Sequence, residues 1–130
     1  MANATNASKT GLLINNPSPL PDGSVGNYNV QTVSAAGTTQ AGATPLVAPG
    51  NIVSNNTAAN GVILPVGTVN QSVWVYPALA TNAPKVYPPL GGTINSGTVN
   101  ASVAAPAQRE TTFRAIDTTG LNWVTSSLTA

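Results

Sequence analysis

The sequence predicts an all-β fold, a small β-sandwich or jelly-roll-like domain with an extended N-terminal arm, and three observations carry that prediction. Eleven prolines and twelve glycines in 130 residues leave no uninterrupted helical window with an apolar 3.6-residue repeat and caps. Short apolar runs alternate with polar residues at period two, the pattern of a strand with one buried face. Turn-forming residues separate these runs at the spacing usual in sandwiches.

The chain changes character near residue 45. In residues 1–45 the stretch "NNPSPLPDGSVGNYNVQTVSAAGTTQAGATP" is rich in Pro, Gly, Ser, Thr and Ala, and Pro17, Pro19 and Pro21 occupy alternate positions. Alternate prolines favour extended or polyproline-like backbone and forbid helix. So few apolar side chains cannot offset the entropy of ordering the chain alone. This arm is expected to become ordered on something else through Leu12, Leu13 and Ile14 and through Tyr28 to Val33, the latter adding a strand to a neighbouring sheet.

Residues 46–130 are expected to form the body. "NIVS" (51–54) and "GVILPV" (61–66) flank a loop ending in Asn60-Gly61, a signal for a positive-φ turn. "SVWVY" (72–76) sets Val73 and Val75 against Trp74 and Tyr76. "KVYP" (85–88) and "TIN" (93–95) lie on either side of Gly91-Gly92, and "TVNASVA" (98–104) alternates Val99, Ala101 and Val103 with Asn100 and Ser102. "TTFRAID" (111–117) runs into Asp117-Thr118-Thr119-Gly120, a type I turn by its Asp at the first position and Gly at the fourth, with "LNWVT" (121–125) as the return strand. Val75-Tyr76-Pro77 and Val86-Tyr87-Pro88 read as two neighbouring strands, each ended by a proline that cannot donate to a ladder.

Charge is scarce: 5% of residues are Asp, Glu, Lys or Arg, against roughly 25% in an ordinary domain. A net charge of +1 supplies no basic footprint for nucleic acid, so none is expected as a partner. No apolar run approaches the length of a membrane span. "MANATNASKTGLLINN" lacks a basic region followed by a long apolar core, so neither signal peptide nor membrane anchor is expected and synthesis is placed in the cytoplasm.

With no cysteine and no histidine, thiolate chemistry, His-based metal sites and His general bases are excluded. Glu110 and Asp117, flanked by Arg109 and Arg114, are the cluster that could suggest paired-carboxylate catalysis. We favour instead a charged rim or arginine–carboxylate pairs between subunits, because residues seven apart fall on opposite faces of an unbroken strand. No enzyme activity and no cofactor are expected. Trp74, Tyr76, Tyr87 and Trp123 could form a sugar-stacking surface, but their period-two placement beside Val and Ile favours core or subunit-interface packing. A thin core without disulfide or metal, and strands without charged gatekeepers, favour oligomerisation.

The segment "VYPPLGGTIN" (86–95), preceded by "GVILP" (61–65) and "QSVWVYP" (71–77) and followed by "ASVAAPAQRETTFRAIDTTGLNWV" (101–124), resembles a pattern in small structural proteins of tailed bacteriophages, the capsid decoration or cement proteins and the bases of head fibres. The match lies in the order and spacing of strands over about half the chain, residues 61–124. The resemblance implies a β-rich, commonly trimeric virion protein on the outer surface of the major capsid lattice, where it clamps capsid subunits against internal DNA pressure. It carries over no catalytic residue. The departure is the long Pro/Ser/Gly-rich residues 1–45, which leaves open whether the arm grips a capsid or belongs to a fibre.

The expected partners are therefore a major capsid protein and further copies of the chain, as a homotrimer. The residues expected at those contacts are Leu12, Leu13, Ile14, Tyr28, Val30, Val33, Trp74, Tyr76, Tyr87, Arg109 and Arg114. The competing expectation is an adhesive or receptor-binding module of a head or tail fibre, its aromatics stacked on sugars.

Overall fold

Period-two alternation becomes ten strands in a computed structural model that describes residues 29–55 and 57–126. They are β1 (Val30–Ser34), β2 (Thr44–Pro45), β3 (Gly50–Ser54), β4 (Gly61–Ile63), β5 (Ser72–Pro77), β6 (Lys85–Tyr87), β7 (Thr93–Ile94), β8 (Val103–Ala104), β9 (Thr111–Ala115) and β10 (Asn122–Thr125). A single 3-10 turn at Gln40–Gly42 is the helical element among the described residues. The fold is all-β, as expected. One mixed sheet has six strands in the order β1-β3-β5-β9-β10-β7, and the other has four in the order β2-β4-β6-β8.

The chain reaches this arrangement by alternating between sheets. From β1 to β6 each odd strand joins the six-stranded sheet and each even strand the four-stranded one. Successive strands within a sheet therefore run the same way: β1, β3 and β5 are parallel, and so are β2, β4 and β6. A parallel pair needs a long crossover, usually a helix. Here the crossover from β1 to β3 is residues 35–49, and the strand of the opposite sheet, β2, lies within it. Antiparallel pairing begins at β8 on β6 and continues as β9 on β5 and β10 on β9. A jelly roll is built from antiparallel strands; here the strands at the start of both sheets are parallel.

Inward-facing side chains of both sheets form one cluster, in which Val53, Val73, Val75, Phe113, Ala115 and Trp123 meet Leu46, Val62, Leu64 and Val86. On β5, Val73 and Val75 are buried and Trp74 and Tyr76 half-buried, as the alternation predicts. Register aligns Gln31, Asn51 and Val75, and then Val33, Val53 and Pro77, on this inner side. Asn51, fully buried, is tolerated because its amide is used up: Nδ2 donates to the carbonyls of Ala48 (2.9 Å) and Trp74 (3.2 Å), and Oδ1 accepts from Gln31 Nε2 at 2.7 Å. A buried polar group left unpaired would cost about 1–3 kcal/mol.

Four expectations are displaced. The boundary at residue 45 is one, because residues 30–45 supply β1 and β2 to the two sheets; of the stretch expected to add a strand to a neighbouring sheet, Tyr28 to Val33, the described part forms β1 and joins the chain's own six-stranded sheet instead. Tyr28, Leu12, Leu13, Ile14 and the rest of the arm before residue 29 lie outside the described residues. Second, the two Val-Tyr-Pro strands do end where predicted, but β5 and β6 belong to different sheets and are not neighbours. Third, Asn60-Gly61 forms no positive-φ turn: Gly61 opens β4, and its N–H pairs with the Ala36 carbonyl at 3.1 Å. Fourth, of the strand expected at 98–104 only Val103–Ala104 forms. Asn100 sits at φ 66, and its Oδ1 accepts from Gly91 N–H (2.6 Å) and Gln40 Nε2 (3.2 Å). A short polar side chain that tolerates the left-handed region has turned an alternating stretch into a loop anchor.

Candidate functional site

The side of the six-stranded sheet turned away from the core is where most of the expected contact residues in the described chain come together. No described strand or helix packs over it. Register sets Val30, Gly50, Trp74 and Thr112 in one row, with Thr32, Ile52 and Tyr76 in the next and Ser72, Arg114 and Val124 on the other side. Val30 is 49% exposed, Arg114 is exposed, and Trp74, Tyr76 and Ile52 are half-buried. Trp74 lies flat across β3 because Gly50 has no side chain there; a Cβ on Gly50 would run into its ring.

Next to Trp74 the face opens into a cleft of about 270 Å³ lined by Ser72, Thr112, Arg114, Val124, Thr125 and Ser126. Three strands build it: β5 supplies Ser72, β9 supplies Thr112 and Arg114, and β10 with the residue after it supplies the rest. The hydroxyls are positioned by the fold. Ser126 Oγ accepts the Thr112 N–H at 3.0 Å, whereas Thr125, paired with Phe113, turns its side chain to the other side of the sheet, where Oγ1 accepts from Asn95 Nδ2 at 2.9 Å.

Val30, Trp74, Tyr76 and Arg114 thus share one face. Val33 points to the core instead, packed against the central cluster. Tyr87 is 7% exposed and its hydroxyl donates to the Thr38 carbonyl at 3.2 Å, so its ring is spent inside its own chain. Arg109 is exposed in the β8–β9 loop, where its N–H pairs with the Pro106 carbonyl at 3.3 Å. Trp123 is fully buried and is a core residue. Ser72, Thr112, Thr125 and Ser126 were not singled out from the sequence; Ser and Thr are too common in it to mark a cleft without the register.

Glu110 and Asp117 lie at opposite ends of β9, outside the strand. Asp117 serves the turn to β10: its carboxylate accepts from Asn122 Nδ2, from Thr119 Oγ1 at 2.7 Å and from the Gly120 N–H at 3.2 Å. The Asn122 hydrogen bond foremost, and then that of Thr119, hold its carboxyl below the ordinary value of 3.8. A depressed folded-state pKa means that the turn's contribution is fully present above that ordinary value and is lost as pH falls through the folded one. Thermal melts in this acid range are expected to show the wild type losing stability with falling pH more steeply than Asp117→Asn. Equal slopes would refute the role of the carboxylate.

Among the described residues no three His, Cys, Asp or Glu side chains group as metal ligands, and no helix is long and apolar enough to cross a membrane. Comparison with protein-family models, with curated proteins and with solved structures gives no match.

Proposed function

We propose that this chain is a structural, non-catalytic protein of a tailed-bacteriophage virion, a capsid decoration or cement protein that self-associates, as a homotrimer, and binds the outside of the major capsid lattice. One observation carries the reading: the outer side of the six-stranded sheet. Parallel strands are ordinarily covered on both faces, yet β1, β3 and β5 present Val30, Ile52, Trp74 and Tyr76 on a side that no described strand or helix covers. That side suits contact with another protein. The strand order of residues 61–124, similar to decoration proteins, supplies the kind of partner.

Incubating the purified chain with phage heads stripped of their surface protein tests the reading. Saturable rebinding and heads more resistant to heat are expected; no saturable rebinding would overturn it. A second reading, an adhesive module of a head or tail fibre, is favoured by the half-buried Trp74 and Tyr76 on that face. It requires the tryptophan fluorescence to respond to glycans, whereas the decoration reading expects indifference.

A further inference from the structure

Two opposite charges at β9 have no partner among the described residues. Glu110 is exposed immediately before the strand and Arg114 is exposed on its outer side; among the described residues neither side chain makes a hydrogen bond or ion pair. In a chain this poor in charge, that placement is informative. Asp117 shows the contrast, its carboxylate being engaged by three donors of its own turn.

Glu110 and Arg114 are four residues apart, roughly 13 Å along an extended strand at about 3.3 Å per residue, which is too far to pair within one chain. A strand with a cation near one end and an anion near the other is complementary to itself when turned end for end. The lining of the Arg114 cleft fits the same occupant. Ser126 Oγ already accepts the Thr112 N–H, so it keeps its proton for an outside acceptor. A guanidinium beside such a hydroxyl is a set of donors suited to a carboxylate, and about 270 Å³ holds a glutamate side chain.

We propose that the cleft of Ser72, Thr112, Arg114, Val124, Thr125 and Ser126 receives Glu110 of a second copy of this chain. Closed about a two-fold axis, the contact is made twice between two chains; closed about a three-fold axis, it runs head to tail around a ring. The inference rests on the self-association in the proposed function and does not depend on the capsid.

The test is a charge swap read by native mass over a range of concentrations. Arg114→Glu and Glu110→Arg are each expected to weaken self-association by on the order of 100-fold, the usual scale for breaking an enclosed ion pair. The double variant, with the pair reversed, is expected to associate nearly as the wild type does. Glu110→Arg lies outside every described strand, so it keeps the test valid even if Arg114→Glu fails to fold. Single variants that associate like the wild type, or a double variant that stays dissociated, would overturn the inference while leaving self-association standing. A wild type monomeric at every concentration would overturn both. If Arg114→Glu abolished rebinding to stripped heads without changing the native mass, the cleft would belong to the capsid protein and the inference would fall.

Discussion

Trp123→Ala is expected to leave the domain largely unfolded in mild denaturant. Trp123 is fully buried at the centre of β10 and belongs to the core cluster, and one edge of its ring lies against backbone: a Cβ added at Gly67 would lie 2.8 Å from its Cζ2. Its indole Nε1 donates to the Gly120 carbonyl at 3.2 Å. Removing so large a buried ring leaves a cavity that the surrounding core fills only in part, at a cost of about 3–5 kcal/mol. Domains of this size hold about 5–15 kcal/mol in total. The urea midpoint should therefore drop by about a fifth or more, and Trp123→Phe should lose clearly less. A midpoint for Trp123→Ala close to the wild type's would mean that the core is centred elsewhere.

Gly120→Ala should be nearly as damaging, for a reason of backbone rather than packing. Gly120 has φ +72, and a Cβ there would run into the carbonyl of Gly67. That carbonyl cannot easily retreat, since the Gly67 N–H is bonded to the Gly120 carbonyl at 3.0 Å. The left-handed conformation alone costs an alanine roughly 1–2 kcal/mol, and the collision adds to it and displaces the acceptor of Trp123. Gly91→Ala is the control: φ is +84, but the nearest atom to an added Cβ is 4.0 Å away. The melting temperature should fall much further for Gly120→Ala than for Gly91→Ala. Equal losses would show that conformation alone matters and that the contact with Gly67 does not.

The fold class and most of the strands were legible because period two survives any topology. Val73 and Val75 face the core and Trp74 and Tyr76 face away whichever strands sit beside them. The neighbours were not legible. Whether β5 pairs with β6, as a hairpin reading of the two Val-Tyr-Pro segments suggests, or with β3 and β9, as it does, depends on whether residues 78–84 turn back or cross to the other sheet, and alternation is silent on that. Pro and Gly content marked residues 30–45 as arm, yet Val33 needs only one inward side to hold β1 against β3. The contact face was half legible for the same reason. Trp74, Tyr76, Val30 and Arg114 are recognisable one by one, whereas the cleft exists only once β5, β9 and β10 are in register.

The central claim is that the outer side of the six-stranded sheet is covered by protein when the molecule works. Oxidative footprinting of the chain bound to phage heads, compared with the free chain, reads this directly. Leu90, 76% exposed and outside both sheets, reports ordinary solvent access, and Trp123 reports full burial. The account predicts that Trp74 and Tyr76 become protected on the heads toward the level of Trp123 while Leu90 stays reactive. Trp74 and Tyr76 as reactive on the heads as in the free chain would contradict it.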